Sequence, residues 1–286
     1  ILRFLVTLAA VIVAGVVLAS MYEEYLFHPW TRDGHVRAQV IKITPRVGGP
    51  IFELTVLDNQ AVAKGDLLFR IDPRTYELAV EQAEAKLKQA LASEIVKEDQ
   101  AKRARDLHRK DRGAISEQSL VRKENDLLVA RADVEVARAN LHSAKLDLDF
   151  TEVRAPVDGY VTNLLLRYGS QTVANQPALA LIDTNSFWVH GFFKETQIEN
   201  IRPGNKVVVK LMTYPDAPLQ GVVESMGWGI AQQDGAPGAD LLPSINPSFD
   251  WIRLAQRIPV RIRLTHVPEE VDLRVGTTAS VFVTTE

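Results

Sequence analysis

Two stretches of this chain, Pro45 to Asp72 and Ala155 to Asp183, are versions of one another. Val47-Gly48-Gly49-Pro50-Ile51 matches Val157-Asp158-Gly159-Tyr160-Val161 at an offset of 110 residues. Val62, Leu68, Ile71 and Asp72 match Val173, Leu179, Ile182 and Asp183 at an offset of 111, so one residue of slip is expected inside the unit. Each copy has a glycine turn, then alternating apolar positions, Ile51, Leu54 and Val56 in the first and Val161, Leu164 and Leu166 in the second. A second turn follows (Asp58-Asn59; Tyr168-Gly169) and then a closing apolar run. Period-two patterning over such short runs predicts half-buried strands.

What separates the copies is helical. Asp72-Pro73 is a helix start, because proline presets φ at the first helical position, and Lys110-Asp111-Arg112-Gly113-Ala114 breaks the pattern before Ser116 offers a new N-cap. Helices of about 37 and 33 residues are expected on either side of that break. In the second, Leu120, Leu127, Val134, Leu141 and Leu148 recur every seven residues, with Ala130, Ala137 and Ala144 at the alternate seam position. This is a coiled-coil pattern in which alanine allows close approach. The first helix repeats it at Tyr76, Val80, Ala83, Leu87, Ala90, Ala101 and Ala104, interrupted by Glu94 and Lys97, where a register slip toward Ile95 and Val96 is expected. An antiparallel hairpin of that length extends about 50 to 55 Å at 1.5 Å per residue. Its 15 basic and 15 acidic residues read mostly as a solvated face with i,i+4 pairs such as Glu84 with Lys88. At its tip, six bases from Lys102 to Arg112 face only Asp106 and Asp111.

Near the amino end, Phe4 to Met21 is an uncharged run of eighteen residues, preceded by Arg3 and followed by Glu23 and Glu24. Such a run is long enough to span a bilayer, and the flanking charges orient the following chain away from the cytoplasm. A cleaved signal peptide is the other reading, since Val17-Leu18-Ala19 offers small residues at peptidase spacing. Both export the rest of the chain. Beyond the second copy, Phe187 to Phe193, Lys206 to Leu211, Gly221 to Met226, Ile258 to Leu264 and Thr277 to Val283 predict short strands of a small barrel, with a short helix near Glu195 to Asn200 and a long polar loop from Gln232 to Phe249.

Several chemistries are not signalled. There is no cysteine, and the six histidines (28, 35, 108, 142, 190, 266) have no metal-ligand spacing. No phosphate loop, dinucleotide fingerprint or nucleophile elbow is present. A net charge of −3 gives no global reason to bind nucleic acid. No enzyme, cofactor or metal is expected.

The paired halves resemble the biotinyl/lipoyl domain, but a covalent carrier presents a lysine at the tight turn joining its halves. Here that place holds Asp72-Pro73 and the helices, and Lys64 reads as a turn before a strand. The order of parts resembles a HlyD-type membrane fusion protein, the periplasmic adaptor of tripartite export systems. Thr31-Arg32-Asp33-Gly34-His35-Val36, Ile43-Thr44-Pro45-Arg46-Val47-Gly48-Gly49, Val153-Arg154-Ala155-Pro156-Val157-Asp158-Gly159 and Arg202-Pro203-Gly204 carry that likeness. Within the family, Pro29 to Asp33 and Trp251 to Leu264 look most like an adaptor subunit for p-hydroxybenzoic acid efflux.

The resemblance implies a mainly β fold with an inserted α-helical hairpin: an anchor over 1–22, lipoyl-like halves over 36–72 and 150–183, the hairpin over 73–149 and a β-barrel over 184–286. It implies an inner-membrane transporter of the aromatic acid exporter type, a TolC-type outer-membrane channel and a homo-oligomeric ring as partners, with aromatic carboxylic acids as cargo. A major-facilitator drug pump is the alternative transporter. In related adaptors an Arg, a Leu four residues on and a Ser seven beyond meet the channel. Arg105 and Ser116 fit that spacing, Arg109 stands where Leu is expected, and Leu107 lies two residues earlier. The expected partner-binding tip is Arg105, Leu107, Arg109, Arg112, Gly113 and Ser116.

Overall fold

The computed structural model describes residues 12–15, 29–229, 255–268 and 270–284. The apolar run Phe4 to Met21 lies outside them except for Ile12–Gly15, which are helical, and so does the expected loop Gln232 to Phe249. Among the described residues no helix is long and apolar enough to cross a membrane.

The chain divides into two compact units, one of residues 40–183 and one of residues 1–39 with 184–286. Strand β1 (Trp30–Arg37) opens the second of these, and the chain then enters the first through β2 (Val40–Ile43), β3 (Gly49–Leu54), β4 (Ala61–Val62) and β5 (Leu67–Ile71). Helices α1 (Arg74–Lys110) and α2 (Glu117–Asp149) follow, and then β6 (Glu152–Arg154), β7 (Gly159–Thr162), β8 (Gln171–Thr172) and β9 (Leu179–Asp183). Two four-stranded sheets result, ordered β2-β9-β7-β4 and β6-β5-β3-β8. Exchanging each strand for its counterpart in the other copy turns the first order into the second, so the sequence repeat is an internal two-fold. Neither half can close a sheet alone, because each sheet takes two strands from each half.

The two-fold is written in backbone hydrogen bonds. Asn59 N donates to Val161 O and Gly169 N to Ile51 O, both at 2.9 Å. Gly65 N donates to Ala155 O at 2.8 Å and Asn175 N to Pro45 O at 2.9 Å. All four residues at these turns have positive φ, with glycine and asparagine exchanged between the copies. That region admits glycine freely and asparagine at small cost. Between the sheets lie Ile51, Leu68, Phe69, Ile71, Val161 and Leu181, all fully buried, each contributing roughly 1.5–3 kcal/mol.

The structure corrects one detail of the repeat. Thr172, buried, is the counterpart of Val62, whereas Val173 is 51% exposed. The expected slip is absent, and the offset stays at 110 through β9 as well: Ile51 pairs with Ile71 as Val161 pairs with Leu181, and Val153 with Phe69 as Ile43 with Leu179. A one-residue shift in a strand reverses the face each side chain takes, so matching valine to valine placed Val173 on the wrong side.

The hairpin grows from where β5 and β6 lie side by side, paired Arg70 with Glu152, with Ile71 N donating to Thr151 O at 2.9 Å. Beside the Pro73 N-cap, the Asp72 carboxylate accepts from Arg74 N at 3.1 Å, and Arg74 holds its carboxyl below the usual range. Tyr76 donates its hydroxyl to Gly48 O at 2.7 Å and fastens the first turn to the sandwich.

Along the seam, Ala83, Ala101 and Ala104 of α1 meet Leu127, Ala130, Val134 and Ala137 of α2 as buried residues. The expected register slip does not occur: Glu94 and Lys97 keep seam positions, while Ile95 and Val96 are 67% and 54% exposed. Cross-helix partners hold the polar pair there, Glu94 with Arg131 at 3.3 Å and Lys97 with Asp126 at 3.8 Å. Likewise Glu84 pairs across to Lys145 at 3.4 Å and Glu98 to Arg131 at 3.4 Å, rather than to lysines four residues on.

In the other unit, β10 (Trp188–Lys194), the 3-10 turn Glu195–Asn200, β11 (Lys206–Leu211), β12 (Leu219–Met226), β13 (Arg257–His266) and β14 (Thr278–Thr284) complete a closed antiparallel barrel in the order β1-β10-β13-β12-β11-β14. A barrel drawn from 184–286 alone lacks β1, and a first sandwich half beginning at residue 36 takes in the end of it. Thr31, Gly34 and Val36 face inward between β10 and β14, and without them the barrel has two open edges. Val36, Val189, Phe193, Val209, Leu219, Val260, Ile262 and Val281 fill its interior.

Candidate functional site

The break between the helices is a compact turn. α1 ends as Asp111 turns to extended backbone and donates its N–H to Leu107 O, and Asp111 Oδ1 accepts from Gly113 N at 2.8 Å. Ala114 N donates to Asp111 O at 3.1 Å. Ser116, extended in backbone, then accepts at Oγ from Ser119 N at 3.3 Å and starts α2. Its hydroxyl is occupied by the cap, worth about 1 kcal/mol to the helix.

Arg105, Leu107, Arg109, Arg112, Gly113 and Ser116 thus lie in the last two turns of α1, the connecting turn and the N-cap of α2. All are exposed. Their charges are less free than the sequence count gave. Arg105 Nε reaches across to Glu124 Oε1 at 2.9 Å, Arg109 pairs with Asp106 one turn back, and Arg103 pairs with Asp99, whose carboxyl it holds below the usual range. Over residues 99–124 eight bases face five acids, because Asp99, Glu117 and Glu124 lie outside the window from Lys102 to Arg112. Exposed pairs of this kind contribute only about 0.2–1 kcal/mol, so each guanidinium exchanges readily to a partner's acceptor. Arg112 is exposed and makes no ion pair among the described residues.

Sequence reasoning missed two tip residues. Glu124, nineteen positions from Arg105, sets where that guanidinium points. His108 continues the seven-residue seam of α1, four residues after Ala104, with a buried Nδ1 that has no hydrogen-bond partner among the described residues. The spacing from Ala101 and Ala104 carried that signal for His108. No local pattern carried it for Glu124.

The outer wall of the barrel holds the other polar cluster. His35, His190 and Arg261 are cross-strand neighbours, as are Arg37, Trp188 and Arg263. The Arg261 guanidinium lies 4.2 Å from the Trp188 ring centroid and is held by Glu224 at 2.6 Å. Burial, then Arg261 and Arg37, push the His190 pKa down, which favours the neutral imidazole.

These features have counterparts in known proteins. A family model described as the RND MFP barrel-sandwich hybrid domain matches residues 39–184, and one described as the AAEA-like beta-barrel domain matches residues 186–284. YdhJ from Escherichia coli (strain K12) is 38% identical over 283 residues, 99% of this chain and 98% of that protein. The structure of MacA from Actinobacillus actinomycetemcomitans matches with a TM-score of 0.63 at 20% identity, covering 91% of this chain and 79% of that one. The periplasmic adaptor protein EmrA matches at 0.52 and 20% identity, covering 91% and 99%. The chain belongs to the membrane fusion protein family, whose members are non-enzymatic adaptors.

Proposed function

We propose that this protein is the periplasmic adaptor of a tripartite efflux system, anchored in the inner membrane by Phe4 to Met21 and joining an inner-membrane transporter to an outer-membrane channel of the TolC type. The observation that carries this is the hairpin. From the edge where β5 and β6 pair, the sandwich extends two helices of 37 and 33 residues, ending in an exposed turn. Such an extension buries no core beyond its own seam, and what it supplies is reach.

Arg105, Arg109 and Arg112 make charge-assisted contacts with acceptors on the channel, Leu107 and Gly113 allow close approach, and Ser116 holds the end of α2 in place. Several copies in a ring enclose the conduit. The cargo is an aromatic carboxylic acid such as p-hydroxybenzoate, by likeness to the efflux pump subunit AaeA, and the exporter supplies the energy.

Because the chain has no cysteine, Arg112→Cys gives a single thiol at the tip without removing the α2 cap. Coupled to a photo-cross-linker in cells, it should capture an outer-membrane channel protein. Labelled, folded protein that captures none overturns the tip contact. Loss of the gene should raise sensitivity to p-hydroxybenzoate, and unchanged sensitivity with raised sensitivity to unrelated drugs would instead assign a drug transporter as partner.

A further inference from the structure

The barrel has two chemically different ends. At one lie the start of β1, the ends of β10, β12 and β14 and the starts of β11 and β13. At the other, β1 leaves toward Val40. The first end carries an apolar row across three neighbouring strands, Trp30 beside Phe282 beside Val208, on the outer surface. Trp30 and Phe282 stack with centroids 6.3 Å apart, the Arg32 guanidinium lies 5.4 Å from the Trp30 centroid, and Phe282 is 41% exposed. Just past β12, Gly227 N donates to Pro259 O at 2.8 Å and leaves Trp228 at the same end, fully exposed.

Arg32, Lys194, Arg202 and Lys206 are exposed around it against Glu195 and Glu199, while Asp33 is taken up by Arg257. The opposite end is closer to balance, with Asp216, Glu270 and Asp272 in its loops against Arg274 and, on the adjoining strand ends, Arg37, Lys210 and Arg263. Tryptophan and phenylalanine beside arginine and lysine are the composition of a membrane–water interface, where amphipathic rings sit among headgroups and cations meet anionic lipid.

We propose that this end of the barrel rests on the surface of an anionic bilayer, with Trp228 and the Trp30–Phe282 row entering the headgroup layer. This rests on the reading that Phe4 to Met21 spans the membrane. β1 starts at this end, and nine peptide steps from Met21 to Trp30 reach at most about 32 Å, which ties this end to the span. The span therefore tethers the aromatic, basic end.

Tryptophan fluorescence of the full chain in nanodiscs of brominated phosphatidylcholine and phosphatidylglycerol tests this. One variant keeps only Trp228 (Trp30→Phe, Trp188→Phe, Trp251→Phe). A second places the single tryptophan at the exposed Met212 of the other end (Met212→Trp, with all four native tryptophans changed to Phe). Bromine should quench Trp228 several-fold more than the reporter at 212. Arg202→Glu with Lys206→Glu should lower the Trp228 quenching in phosphatidylglycerol discs toward that in pure phosphatidylcholine. Equal quenching of the two reporters in protein that co-elutes with the discs overturns the contact, including the case where a transporter rather than lipid covers Trp228. Protein that elutes apart from the discs overturns the anchor reading and this contact with it.

Discussion

The two halves of the sandwich share a backbone and differ in how closely it packs. Gly49 and Gly159 are counterparts, and each sits close against the neighbouring strand of its own sheet. A Cβ on Gly159 would lie 2.2 Å from Ile182 O, a backbone atom, whereas one on Gly49 would lie 2.7 Å from a methyl of Ile71. At the turns the chemistry is exchanged, Asn59 and Gly65 in one copy answering to Gly169 and Asn175 in the other. The difference teaches that a repeat survives through its hydrogen bonds and inward side chains, while each copy settles its tight spots separately.

The strongest probe of that equivalence is removal of matched core residues. Ile71→Ala and Leu181→Ala should each cost about 2–5 kcal/mol, since both side chains are fully buried at equivalent places, and should agree closely in thermal or denaturant unfolding. A large disparity would mean that the halves do not share one core. Next in size, Gly159→Ala should cost about 1–3 kcal/mol and Gly49→Ala distinctly less, because a carbonyl in a ladder cannot move aside as a methyl can. The reverse order in melting temperatures would break the comparison.

Exchanging the turn residues should matter least within the sandwich. Gly65→Asn and Asn175→Gly should each stay within about 1 kcal/mol, while Gly65→Val should lose about 1–2 kcal/mol from the left-handed backbone. Acid sharpens the contrast between units rather than halves. The sandwich strands and their loops contain no histidine, whereas His190 of the barrel has a depressed pKa. The unfolded chain therefore binds the proton more readily, so barrel stability is full above the ordinary histidine value of about 6.5 and declines as pH falls below it. His190→Gln should flatten that part of the pH profile, read by hydrogen exchange of β10 amides.

Legibility tracked periodicity. The repeat, both helices and their seam were readable because apolar residues recur at fixed intervals that a packed strand or helix enforces. Glu94 and Lys97 misled because a charged residue at a seam position looks like a break, and only Arg131 and Asp126 on the facing helix explain how it is held. β1 was missed because its partners lie more than 150 residues away, and Trp30 to Arg37 holds only one inward aliphatic side chain, Val36. At the tip, the turn was evident from Asp111, Gly113 and Ser116, but the pairing of Arg105 with Glu124 depends on how the helices cross.

The junction of β5 and β6 carries a last consequence. The chain leaves the sandwich at Ile71 and returns at Thr151, two residues already joined by a hydrogen bond, so the sandwich is indifferent to how much lies between. Adding or deleting one seven-residue unit in each helix would shift the tip by about 10 Å and leave its facing unchanged. Span is in that sense a separately inherited dimension of the molecule. A lineage facing a wider or narrower gap between its membranes could refit this part in whole steps while the rest of the protein stayed as it is.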